Sequence, residues 1–270
     1  MRLSVTSWSF PQLSLEEVAG VARALGIGAI DVGLFYRSAL DRAEILGDPA
    51  GAAERLRGLG VGVANYYHLF GRDPQDRNLA LPGTLDANLR DLEAVLRLAE
   101  AADIPTVFIL PGVVNPGQSR EEAARVAAES LRALLEVPGA RDRLCVEPHV
   151  HSWAESPDLV RRLIDDTGVR LALDYAHFVC LGFRQEEVDP LAPHAAHVHL
   201  RQARPGALQA KFAQGTINLP ALLGTLRGMG YGGALALEAV HQDYMGTLHD
   251  DVLTETVLMR DAVRSWLEQG

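Results

Sequence analysis

Val169-Arg170-Leu171-Ala172-Leu173-Asp174 is a short apolar run that stops abruptly on a carboxylate. Its length suits a buried strand rather than a helix. The pattern repeats along the chain. Leu144-Cys145-Val146-Glu147 precedes it, and His197-Val198-His199 and Leu235-Ala236-Leu237-Glu238 follow. Four consecutive runs therefore finish on three carboxylates and an imidazole. Further toward the N-terminus lie four more runs, at Leu3 to Ser7, Ala29 to Leu34, Val61 to Tyr67 and Thr106 to Leu110.

Stretches of helical spacing separate most of these runs. Ser14 with Glu17, and Ser119 with Glu122, have the capping-box spacing of a helix start. The first helix is expected to end at Gly26, and a second to cover about Pro49 to Leu59, closed by Gly60. Leu85, Leu89, Leu92, Leu96 and Ala99 line one face of a helix between Leu81 and Ala102. Others are expected over Ser119 to Leu135, from Ser156-Pro157 to Asp165, over Leu219 to Met229 and from Asp250 to Leu267. Strands alternating with helices imply a parallel sheet with right-handed crossovers. Eight such units predict a closed (β/α)8 TIM barrel, one domain spanning residues 1–270.

Chemistry in such a barrel sits at the C-terminal ends of the strands. Alternation puts Cys145 with Glu147, Ala172 with Asp174, His197 with His199, and Ala236 with Glu238 on common faces. The competing reading makes each acid a helix cap or surface residue. Coincidence at the same end of four successive strands favours a shared site. Three crowded carboxylates repel unless neutralised. One divalent cation on Glu147, Asp174, His199 and Glu238 resolves this. Oxygen-rich ligation with one imidazole suits Mn²⁺ first, with Mg²⁺, Co²⁺ or Zn²⁺ compatible.

Composition narrows the function. The 270 residues carry a net charge of −10, which disfavours nucleic-acid binding. There is neither a Gly-x-Gly-x-x-Gly fingerprint nor a phosphate-cradling Gly-x-x-x-x-Gly-Lys motif. The short, polar start Met1 to Thr6 is not expected to act as a signal peptide, no apolar run approaches membrane-spanning length, and two cysteines, Cys145 and Cys180, do not make a disulfide framework. A cytoplasmic protein without membrane or nucleic-acid partners is expected, and a homo-oligomer is compatible.

Within this frame the sequence resembles the xylose isomerase-like barrel superfamily, specifically sugar epimerases and isomerases related to D-tagatose 3-epimerase. The resemblance rests on Glu147, on Asp174-Tyr175-Ala176-His177, on His197-Val198-His199, and on Gly230-Tyr231-Gly232-Gly233-Ala234-Leu235-Ala236-Leu237-Glu238. It implies a metal-dependent isomerase or epimerase of a sugar or sugar derivative, working through an enediolate. Glu147 and Glu238 would be the catalytic acid and base as well as metal ligands. His177 would contact substrate, with Arg201 or Arg204 anchoring it. Two departures stand out. Pro148 to Ala154 lacks a further Glu expected there, and the Arg spacing after His199 is short by about one residue. Two arginines near the metal would suit an acidic or phosphorylated substrate.

Trp8, Phe10, Tyr66 and Tyr67 are candidates for stacking on a sugar, against ordinary packing. His68 and Lys211 are further substrate-binding candidates, against a capped loop and a solvated surface. His149 and His151 fit loop contacts or support for a metal. Cys145 and His197 are expected inside the barrel, below the site. A dehydratase or lyase would use the same metal set. An abasic-site endonuclease would need more His and Asp ligands than lie between His199 and Glu238. A non-catalytic sugar-binding protein would not need opposed glutamates.

Overall fold

The structure, a computed structural model, describes residues 1–34, 40–240 and 251–269. Eight parallel strands close into a barrel in sequence order: β1 (Arg2–Thr6), β2 (Ala29–Gly33), β3 (Gly62–Tyr67), β4 (Val107–Ile109), β5 (Leu144–Val146), β6 (Arg170–Asp174), β7 (Ala195–Leu200) and β8 (Ala234–Leu237). The ring closes because β1 pairs with both β2 and β8. Each expected run forms its strand, with ends shifted by a residue or two.

The helices follow the apolar spacing. They are α1 (Leu15–Ala24), α2 (Arg42–Gly47), α3 (Pro49–Arg57), α4 (Leu85–Ala101), α5 (Arg120–Leu135), α6 (Ala140–Arg143), α7 (Pro157–Thr167), α8 (Tyr175–Cys180), α9 (Gln185–Val188), α10 (Leu219–Gly228) and α11 (Val252–Glu268). Both capping boxes form. The Ser14 hydroxyl accepts from the Glu17 N–H at 3.2 Å while Glu17 Oε2 accepts from the Ser14 N–H at 2.8 Å. Ser119 and Glu122 do the same at the head of α5. Asp250, expected to open the last helix, lies outside the described residues. The short helices α2, α6, α8 and α9 have too few turns to show a period in sequence.

Outward-facing strand residues such as Val32, Ile109, Val146, Leu173, Val198 and Leu237 join the helices in one continuous core. Alternate residues point inward. Tyr67, Phe108, Cys145 and Ala172 pack together inside the barrel, above a floor of Ala29, Ala64 and Ala234. Among the described residues no helix is long and apolar enough to cross a membrane.

Candidate metal centre in the barrel mouth

Backbone ladders bring the four expected ligands together. Glu147 lies one residue past β5, and its N–H still donates to Ile109 O of β4 at 3.0 Å. Glu238 lies one residue past β8, its N–H donating to Leu200 O of β7 at 2.9 Å. Asp174 and His199 are direct partners across β6 and β7. The β6–β7 register slips between Leu171 and Ala172, and such slips re-aim side chains. One ligand atom from each of Glu147, Asp174, His199 and Glu238 lies within 4.8 Å of all the others.

All four side chains are buried. His199 Nδ1 is 2.6 Å from Glu147 Oε1 and 3.7 Å from Glu238 Oε2. Glu238 Oε1 accepts from Trp8 Nε1–H at 2.8 Å. Asp174 is both candidate ligand and helix cap. Its Oδ1 accepts from the Ala176 N–H at 2.8 Å and its Oδ2 from Arg201 Nη2 at 2.6 Å. The turn of α8 that it caps returns His177 to the site. His177 Nε2 is 3.0 Å from Arg201 Nη2 and 3.6 Å from Asp174 Oδ2.

Burial and neighbouring charge shift every titratable group of the cluster. Burial pushes Glu147 above the usual carboxylate range, outweighing the attraction of His199. Burial does the same to Asp174 against the pull of Arg201. Burial also works against charge on Glu238, but Arg201 and His199 hold it below its ordinary value. For His199, burial is overcome by Glu147 and Glu238, which hold the imidazolium well above its ordinary range. Burial lowers His177 far enough to keep it neutral. Among the described residues Glu238 Oε2 and His199 Nε2 are buried without a hydrogen-bond partner. Three carboxylates against one guanidinium and one imidazole, plus a carboxylate oxygen inside the cluster that no described residue engages, fit a hard divalent cation.

Above the cluster opens a cavity of about 280 Å³. Glu147, Glu238, His177, His149 and Arg201 form its polar part. Trp8, Tyr67, Phe108, Leu110, Val113 and Val240 form an apolar wall. Tyr67 stacks on Phe108 with centroids 4.5 Å apart and planes 7° apart. Trp8 meets both rings and His199 edge-on.

Other expected site residues lie elsewhere. His68 is buried but turned toward the helices. Its Nε2 is 3.7 Å from Asp91 Oδ2 of α4, and its ring stacks near Tyr66. Tyr67 takes the inward direction, so its neighbours Tyr66 and His68 take the other. Phe10 is half-buried and packs on the helix-side core. Arg204 and Lys211 are exposed and do not line the cavity. Arg204 is displaced because its backbone turns back to pair with Ala207. His149 and His151 line the cavity, His149 with Nδ1 2.7 Å from Val150 O. Cys145 and His197 are inside the barrel, as expected. Asp31 was not anticipated. It is fully buried mid-strand in β2, with Oδ2 2.6 Å from His197 Nε2. Its only signal in sequence is a carboxylate inside the apolar run Ala29 to Leu34.

A closed (β/α)8 barrel with a buried acid–imidazole cluster in its C-terminal mouth is the class that fold and site define. The chain belongs to the xylose isomerase-like TIM barrel family, whose model matches residues 20–268. Solved structures share the architecture at low identity. A D-psicose 3-epimerase with D-tagatose from Clostridium cellulolyticum H10 is 13% identical, with TM-score 0.74 over 100% of this chain and 99% of that one. The IOLI protein with a binding zinc atom is 14% identical, with TM-score 0.73 over 100% and 99%. A probable 3-DHS dehydratase from Bacillus anthracis is 12% identical, with TM-score 0.71 over 98% and 99%. No curated protein matches the sequence.

Proposed function

We propose that this single-domain protein is a divalent-metal-dependent isomerase or epimerase of an uncharged sugar or sugar derivative. It would remove and return a proton on a carbon α to a carbonyl. The observation that carries this reading is the convergence of one ligand atom each of Glu147, Asp174, His199 and Glu238 within 4.8 Å, with Glu147 and Glu238 lining a cavity. When bound there, a divalent cation supplies the positive charge that stabilises negative charge developing on a carbonyl oxygen. Mn²⁺ suits the donor set best.

The remaining work falls to the side chains. Glu147 and Glu238, carried by different strands, are the groups that take and return the proton. The Trp8 N–H holds Glu238 Oε1 at 2.8 Å and so fixes one carboxylate oxygen in place. Arg201 holds Asp174. His177, neutral and on the cavity wall, hydrogen-bonds a substrate oxygen. The aromatic and aliphatic wall packs against C–H faces and excludes water.

Charge selects the substrate class. Among the described residues, Arg201 is the one Arg or Lys lining the cavity, and it is engaged by Asp174 at 2.6 Å and lies 3.7 Å from Glu238. Arg204 and Lys211, the other candidate anchors for an acidic or phosphorylated group, lie outside. An uncharged ketose or cyclic hydroxyketone is favoured.

The test is solvent-deuterium incorporation by NMR, with Mn²⁺-loaded protein and a panel of ketoses, sugar acids and sugar phosphates. Exchange α to a carbonyl, lost with chelator, is expected for an uncharged member. Glu147→Gln and Glu238→Gln are each expected to lower that exchange by about 10²- to 10⁴-fold. Full activity in either variant sinks the acid–base assignment. Net loss of water would make the enzyme a dehydratase, and cleavage of abasic DNA would replace the sugar reading altogether.

A further inference from the structure

Asp31 is a carboxylate in a place that normally excludes one. It sits in the middle of β2 with no solvent exposure, between Ile30 and Val32, both part of the apolar core. A buried carboxylate costs several kcal/mol unless its surroundings compensate it. The β2–β3 register slips between Ile30 and Asp31, at the residue itself. The second slip, in β6–β7, falls where Ala172 meets His197. The two irregularities act on strands that are not neighbours in the barrel, so the contact they make crosses its interior.

That contact has two parts. Asp31 Oδ2 is 2.6 Å from His197 Nε2 and 3.7 Å from His199 Nε2. His199 therefore presents its two nitrogens to opposite surroundings. Nδ1 faces Glu147 at 2.6 Å and Glu238 at 3.7 Å, while Nε2 faces Asp31. Among the described residues His199 Nε2 has no hydrogen-bond partner, and Asp31 Oδ1 has none either. His197 meets the His199 ring edge-on, at 5.1 Å between centroids.

We propose that Asp31 is a positioning residue for the metal centre: it keeps the His199 hydrogen on Nε2, so that the Nδ1 lone pair is turned to the cation. A neutral imidazole carries one hydrogen, and an anionic acceptor on one side decides which nitrogen keeps it. Carboxylates behind metal-binding histidines commonly do this, and losing one typically costs about 10- to 100-fold in metal affinity. The proposal rests on the reading of Glu147, Asp174, His199 and Glu238 as a cation site. His197, with Nε2 2.6 Å from Asp31 Oδ2, offsets the burial of that carboxylate beneath the site. In this arrangement His197 shares Asp31 but does not set the His199 tautomer.

The first measurement needs no variant. Long-range ¹H–¹⁵N correlation spectra of the Zn²⁺-loaded wild type report which His199 nitrogen is bound and which carries hydrogen. Nδ1 bound and Nε2 protonated is expected, and Nε2 bound overturns the proposal. The second is calorimetric Mn²⁺ titration of the wild type, Asp31→Asn and His197→Gln. Asp31→Asn is expected to weaken binding by about 10- to 100-fold, and His197→Gln much less. Equal affinities in the wild type and Asp31→Asn overturn the role of Asp31 while leaving the cation site standing. A wild type that takes up two Mn²⁺ and an Asp31→Asn protein that takes up one would make Asp31 a ligand, and overturn it too. A wild type that binds no Mn²⁺ overturns the cation reading, and Asp31's role with it.

Discussion

Trp8 illustrates how much rests on single atoms. Its indole is an apolar wall of the cavity, yet its one N–H reaches Glu238 Oε1 at 2.8 Å. A hydrogen bond to a charged group contributes about 1.5–3 kcal/mol. Trp8→Phe keeps most of the wall and removes that bond. It is expected to lower kcat/KM by about tenfold to a hundredfold, with the fold retained. Steady-state kinetics at saturating Mn²⁺ measure this, and unchanged turnover would reduce Trp8 to a packing residue. The same scale shows what residue type alone reveals. An acid at the end of an apolar run is visible in sequence. The inward direction of Arg201 and the outward one of Arg204 are not, because both follow the same strand and differ only by the turn between them.

At the scale of elements, strand parity decides function. In β3 and the residue after it, Tyr66, Tyr67 and His68 look equally available in sequence. Tyr67 enters the barrel and stacks on Phe108, which commits Tyr66 and His68 to the helix side. There His68 approaches Asp91, which also binds Arg77 and lies 3.8 Å from Arg42. His68→Leu is therefore expected to leave kcat/KM unchanged. Asp91→Ala, which removes the carboxylate paired with Arg77, is expected to lower stability by about 2 kcal/mol in denaturant unfolding. A catalytic defect in His68→Leu would instead restore it to the substrate site. The strand starts and helix caps were legible because they are local: a capping box needs four residues, an apolar run five or six. The inward or outward sense of a lone run was not, since shifting the register by one residue reverses it.

For the whole molecule, the barrel is a device for crowding charge. Four strands bring three carboxylates, an imidazole and a guanidinium together where water is largely excluded. Glu147 and Asp174 are pushed up by burial, and His199 is held up by Glu147 and Glu238 despite burial. All three therefore hold protons more tightly than in water, and a cation binding there would have to displace them. Mn²⁺ affinity is expected to rise with pH through the neutral range, with proton release on binding. Calorimetry in buffers of different ionisation enthalpy measures it, and an affinity flat with pH would contradict it. At a free Mn²⁺ concentration one hundred times Kd, the fold should gain about 2.7 kcal/mol. Absence of any thermal shift would speak against a cation at this site.

Local order determined the alternation of eight strands and their helices, and with it the barrel. Once the barrel was specified, the four strand-end residues Glu147, Asp174, His199 and Glu238 had to meet, because successive parallel strands finish at the same rim. That part of the site was legible from sequence. Asp31 was decided only by the tertiary structure. It comes from β2 and touches residues of β7, across an interior that no sequence spacing describes, through two register slips that no local pattern announces. The withdrawal of His68, Arg204 and Lys211 from the cavity has the same origin. Which way a side chain points depends on what the rest of the barrel packs against it, and that is settled only when the ring closes.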